Sequence, residues 1–303
     1  MQVTRMDLDG RGSGSPEGLV SLILKAQPLT VPVDIEELAY ALDIEEIADL
    51  STDGFEGGLL TDQYRSKGII LVNRTASPGR RRFTVGHELA HFLLPSHKPV
   101  KSDSFLCSRE DMAIWTTAER TAYQRMEAEA NRFSALILMP PPLLRPYMAR
   151  LGDPNLAGVL RIHADFVVSK DAAARAFAQY HDQPVAIIVV RDGIVQRFYK
   201  NARFPQLCVS PGAAMPKASH YFQALSERAE MTEMKLGAAG HWLESNWGHR
   251  LPSLFEQVLL QQHGFALILL WAETEDDKED EDPDAELTSA QRLANRRHQR
   301  HDR

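Results

Sequence analysis

The chain has 303 residues, 44% of them hydrophobic and 25% charged, and its 34 Lys and Arg against 41 Asp and Glu leave a formal charge of −7. These are the proportions of a globular protein of about two domains, and they exclude disordered, collagenous and disulfide-rich classes. Two cysteines, Cys107 and Cys208, fit a reducing compartment, and no apolar run approaches the ~20 residues of a membrane helix, so the expected setting is cytoplasmic with no membrane partner.

Residues 1–16 are rich in Gly and Ser and read as a flexible N-terminus. Over positions 19–49 the apolar residues recur at helical spacing, and Pro32 and Asp34 mark the start of a helix through Ile35, Leu38, Ala39 and Leu42. Positions 56–62 and 67–73 read as two short strands joined by a polar tract. Ser77 and Pro78 supply an N-cap and a first-turn proline for a helix that Pro95 stops after Leu94. Positions 96–115 read as a long irregular connection. Thr116 and Glu119 form a capping-box pattern, and the helix expected after them carries Tyr123, Met126, Ala130, Phe133 and Ile137 as one apolar stripe. The prolines at 140–142 end it. Positions 153–180 suggest two more helices, broken near 165–169.

From residue 183 the pattern changes. Two apolar runs flank Asp192-Gly193, a strong hairpin signal, and a second strand pair turns at His263-Gly264, with a helix expected over 221–230 between the pairs. An acidic run from 273 to 286 leads into a basic stretch over 292–303, together read as a solvated tail. The expected division is a flexible 1–16, a domain at 17–150, a helical segment at 151–182, an antiparallel α+β domain at 183–273 and a charged tail at 274–303.

The chemistry is concentrated at His87-Glu88-Leu89-Ala90-His91, an HExxH sequence inside the helix that begins at Ser77-Pro78. Residues i and i+4 lie about 40° apart around a helix and about 6 Å apart along it, so both imidazoles leave one face and can hold one Zn²⁺. Glu88, beside the first histidine, is placed to act as general base on a metal-bound water. Phe83, Ala90 and Leu94 turn that face toward the core, where an unliganded histidine pair is costly.

A catalytic zinc takes three protein ligands and keeps one open position. Glu127 on the later helix is the expected third ligand, and Asn131, one turn on, is expected to hydrogen-bond a liganding histidine. Glu129 lies on the opposite side of that helix and is expected to face outward. Tyr123 either completes the apolar stripe or donates to an oxyanion. Cys107 is either an inert buried thiol or a regulatory group on the open metal position. His97, just past the helix terminator, is expected at the surface.

Arg82-Phe83-Thr84 leading into HELAHFLL, then Glu127-x-x-Ala130-Asn131-x-Phe133, then Leu138-Met139-Pro140, form an ordered set that resembles the ImmA/IrrE family of zinc metallopeptidases over about residues 30–180. The resemblance implies an α+β chain with a small zincin-like core of antiparallel sheet and helices. It implies one Zn²⁺ per chain on His87, His91 and Glu127, with Glu88 as catalytic base. The substrate implied is a helix-turn-helix repressor or antitoxin, cut to derepress stress or mobile-element genes. Gly57, Gly58, Leu59 and Leu60 would then form an edge strand that holds an extended substrate segment by β-augmentation. Residues 151–182 take the place of a helix-turn-helix-like segment, and 183–273 that of a GAF-like sensor domain. The competing reading is a non-proteolytic metal-stabilised binding protein for a transcription regulator. Direct DNA binding is not expected, because Ala172, Ala173 and Ala174 offer few side chains to base edges.

Overall fold

The computed structural model describes residues 8, 14–51, 54–62, 64–98, 104–108, 110–113, 121–244 and 251–273, and it divides into two compact units, 1–182 and 183–303. The capping box at Thr116 and Glu119, most of the N-terminal segment and the charged tail lie outside the described residues. No helix among the described residues is long and apolar enough to cross a membrane.

The first unit opens with α1 (Pro16–Ala26), capped by Ser15, and α2 (Ile35–Ala41), capped by Asp34. The helical spacing does not continue to residue 49: Ile44–Leu50 is strand β1. With β2 (Gly57–Thr61), β3 (Gly68–Asn73) and β4 (Ser104–Cys107) it builds a four-stranded sheet in the order β1-β3-β2-β4. The sheet is mixed rather than purely antiparallel, since β2 reverses the chain between β1 and β3 and leaves those two parallel. β4 corrects a second expectation. It pairs Gly57 with Cys107 and Leu60 with Ser104, so β2 is an interior strand and its outer side is already occupied.

Helix α3 (Pro78–Leu93) packs on this sheet with every residue from Thr84 to Leu93 buried. Ser77 stands at its N-cap position without a side-chain cap bond. Its C-terminal carbonyls are satisfied instead by Arg65, whose guanidinium donates to Leu94 O at 2.6 Å and to Phe92 O at 3.4 Å. Helix α4 (Ala122–Leu138) starts later than the sequence suggests, with Thr121 as its cap. It lies along α3, and Gly86 sets their separation: a Cβ there would stand 2.7 Å from Ser134 Oγ and 3.3 Å from the Ser134 backbone. Ser134 Oγ donates to Phe83 O at 2.7 Å across the same contact.

The prolines at 140–142 end α4 and also open α5 (Pro141–Ala149), which the sequence reading missed. Proline is tolerated in a first turn because those N–H groups have no helical partner. Helices α6 (Leu156–Asp165) and α7 (Lys170–Tyr180) follow, separated by a turn in which Val167 has φ of 51°.

The second unit is an antiparallel five-stranded sheet in the order β6-β5-β9-β8-β7, formed by β5 (Val185–Arg191), β6 (Ile194–Lys200), β7 (Lys235–Leu236), β8 (Leu254–Leu260) and β9 (Phe265–Ala272). Both hairpins turn where the sequence places them, on the left-handed pairs Asp192-Gly193 and His263-Gly264. Helix α8 (His220–Glu227) ends at Arg228, also left-handed, a few residues short of the expected 230. Its N-terminus meets the fully buried Glu256, which accepts from the Ser219 hydroxyl, His220 N at 3.0 Å and Trp242 Nε1 at 3.1 Å.

Candidate metal centre

Helix α3 presents His87 and His91 on the face turned toward α4, and α4 presents Glu127 and Asn131 back at them; all four are buried. The two Nε2 atoms stand 3.0 Å apart. Glu127 places Oε2 3.2 Å from His87 Nε2 and Oε1 3.6 Å from His91 Nε2. The Cys107 sulfur lies 3.8 Å from His91 Nε2, and ligating atoms of these four residues all fall within 4.8 Å of one another.

The hydrogen bonds behind the imidazoles decide which nitrogens carry protons. Asn131 Nδ2 donates to Asp111 O at 3.1 Å, so Asn131 Oδ1 must be the acceptor facing His87 Nδ1 at 2.9 Å. His87 therefore carries its proton on Nδ1. On the other side, His97 Nε2 donates to the Glu129 carboxylate at 3.1 Å, which leaves a neutral His97 with a bare Nδ1. That nitrogen accepts from His91 Nδ1 at 3.0 Å. Both liganding candidates thus turn an Nε2 lone pair inward, toward each other and toward a carboxylate.

Lone pairs that converge in a buried site repel unless a cation sits among them. Burial disfavours charge on His91, and its pKa falls to about 4. Burial acts the same way on His87, but its hydrogen bond to Glu127 and the neighbouring charge of Glu88 outweigh it, and its pKa is raised. Glu127 is pulled the opposite way: burial raises it, yet the two imidazoles hold it well below the usual carboxylate range. In the absence of metal, a proton on His87 relieves the convergence. The donor set of two imidazoles and one carboxylate fits Zn²⁺.

Glu88 lies buried beside the cluster. Both its carboxylate oxygens are buried with no hydrogen-bond partner, and burial pushes its pKa up to about 8. Gly57 makes room for it, since a Cβ at that position would meet Thr84 Cγ2 at 2.3 Å and Glu88 Oε1 at 3.0 Å. Among the glycines of the expected substrate strand, Gly57 therefore admits the motif helix to the sheet. Of its neighbours, Gly58 and Leu59 are buried in β2 and Leu60 is exposed.

Tyr123 lies half-buried at the margin of the site. Burial, the Glu127 charge and a hydrogen bond to Asp111 raise its pKa, so it stays a phenol at neutral pH. His97 corrects the sequence reading. It is 1% exposed, and it is held between His91 and Glu129 rather than at the surface. Burial drives its pKa down, keeping it neutral. Glu129 does not join the ligand cluster, and it bonds His97 from behind. The available signal in the sequence was a third histidine six residues past His91.

Residues 47–177 match the Peptidase_M78 family, described as the IrrE N-terminal-like domain. A 125-residue stretch is 30% identical to the radiation response metalloprotease IrrE of Deinococcus radiodurans; it covers 41% of this chain and only 35% of that protein. A solved structure described as a Mycobacterium tuberculosis transcriptional regulator aligns with 94% of this chain and 78% of its own, at 13% identity and a TM-score of 0.47, a likeness too slight to argue from.

Proposed function

We propose that this chain, a member of the ImmA/IrrE family through residues 47–177, is a zinc-dependent endopeptidase that makes a site-specific cut in a helix-turn-helix repressor or antitoxin, derepressing stress or mobile-element genes. The observation that carries the reading is the meeting of two imidazole lone pairs and the Glu127 carboxylate beside the unpartnered Glu88. On this reading 17–150 is a zincin-like core, 151–182 a helix-turn-helix-like segment and 183–273 a GAF-like sensor or recruiting domain. The protein works in the cytoplasm, one Zn²⁺ per chain, without binding DNA itself.

His87, His91 and Glu127 would hold a zinc ion, which when bound would supply Lewis acidity to activate a water and polarise the scissile carbonyl. Glu88 takes the proton of the attacking water on a carboxylate oxygen and returns it to the leaving amine nitrogen. Asn131 and His97 keep the liganding imidazoles in one tautomer. Tyr123, a phenol at the margin, gives its one proton to Asp111, so its place there is one of packing and support.

The test compares new protein N-termini in a lysate of the source cells after treatment with zinc-loaded wild type or Glu88→Gln. A small set of cuts in helix-turn-helix regulators, made by the wild type alone, supports the reading. Equal cutting by both proteins, or none by either, contradicts it.

A further inference from the structure

Strand β4 touches the metal cluster in three independent ways. Its backbone pairs with β2 over Gly57–Leu60, and Gly57 of that strand lies against Thr84 and Glu88 of the motif helix. Phe105 is buried and stacks on the His91 ring, with centroids 4.7 Å apart and planes 21° apart. Cys107, 1% exposed, aims its sulfur at His91 Nε2 and shares the ligand cluster with His87 and Glu127.

We infer that Cys107 is a fourth metal ligand, and that β4 holds the site in a closed resting form by placing this thiol on the ion and its own backbone along β2. The inference rests on the peptidase reading and adds its regulation. Sites with four protein ligands are closed structural sites, whereas catalytic zinc keeps a position for water. With Cys107 as thiolate, two neutral imidazoles, one carboxylate and one thiolate balance the two positive charges of the ion, which favours burial. The metal–sulfur bond forms as the S–H bond breaks, and the thiol proton is released to water. Opening the site requires one movement, departure of β4, which frees the coordination position and the edge of β2 together. An extended substrate segment can then pair where β4 lay.

Cobalt(II) reads this without a substrate. The full-length protein is loaded with Co²⁺ alone and its absorption spectrum recorded for wild type, Cys107→Ser and Cys208→Ser. Cys208 is exposed and is the chain's other cysteine, so it serves as the internal control. The expected result is a near-ultraviolet thiolate-to-cobalt band in wild type and Cys208→Ser, absent in Cys107→Ser. Cobalt affinity in Cys107→Ser should fall at least on the order of the 10-fold that a lost supporting group costs. Visible cobalt bands without the thiolate band in wild type overturn the inference and leave the peptidase reading standing. A band that survives in Cys107→Ser or vanishes in Cys208→Ser overturns it as well. No cobalt binding by the wild type removes both. If Cys107→Ser fails to fold, wild type and Cys208→Ser still decide whether Cys107 ligates.

Discussion

His91 and His97 face each other Nδ1 to Nδ1 at 3.0 Å, and the bond runs in one direction because His97 spends its only proton on Glu129. The relay reaches from a metal-ligand candidate to a half-buried carboxylate on another helix. It fixes the His91 ring with its Nε2 lone pair inward.

Replacing His97 by Phe removes the acceptor and leaves His91 free to change tautomer. Metal affinity, measured by competition with a chromogenic chelator, should fall about 10- to 100-fold. Glu129→Gln keeps an acceptor oxygen for His97 and should lose little. Equal losses in the two variants would mean that the relay only fills space.

Glu88 makes stability depend on pH in the metal-free protein. Its carboxyl is raised from 4.5 to about 8 by burial, so the folded state binds this proton more tightly than the unfolded state does. The resulting stabilisation is full below pH 4.5 and is lost as pH rises toward about 8. At about 1.4 kcal/mol per pH unit, this amounts to roughly 3 kcal/mol by pH 7. Glu88→Gln lacks that loss, so in excess chelator its stability relative to wild type should climb between pH 5 and pH 8. Denaturant unfolding of both proteins across that range checks it, and a flat difference sinks the assignment.

Gly86→Ala tests the α3–α4 contact. The added methyl meets Ser134 Oγ at 2.7 Å and backbone at 3.3 Å, so the helices must part. Stability should drop by about 1–3 kcal/mol and metal affinity should fall with it, since the candidate ligands come from both helices. Unchanged affinity would show that α4 can shift without moving Glu127.

Gly264→Ala is the corresponding change in the second unit. Gly264 has φ of 75°, and a Cβ there would lie 1.9 Å from Asp192 Oδ1. Thermal unfolding should show a loss of at least about 1–2 kcal/mol with metal affinity intact.

The motif helix, the Glu127 helix and both hairpin turns were legible because their signals are local. The spacing of His87, His91, Glu127 and Asn131 and the left-handed pairs Asp192-Gly193 and His263-Gly264 are properties of a few neighbouring residues. β1 was not legible. Its Ile-Glu-Glu-Ile-Ala-Asp-Leu has good helix formers and apolar residues three apart, and pairing with β3 overrides that preference. β4, four residues long, is too short to show a period, and its partner lies some 45 positions earlier in the chain. His97 was misread for the same reason: the groups that bury it, His91 and Glu129, are brought to it by tertiary packing.

The most direct measurement is metal content by elemental analysis, on wild type and Glu127→Gln purified without added metal and again after zinc is supplied. The account predicts about one zinc per chain in the wild type and a sharp loss in the variant. A wild type that holds no metal even with zinc supplied, or a variant that keeps a full complement, would contradict it.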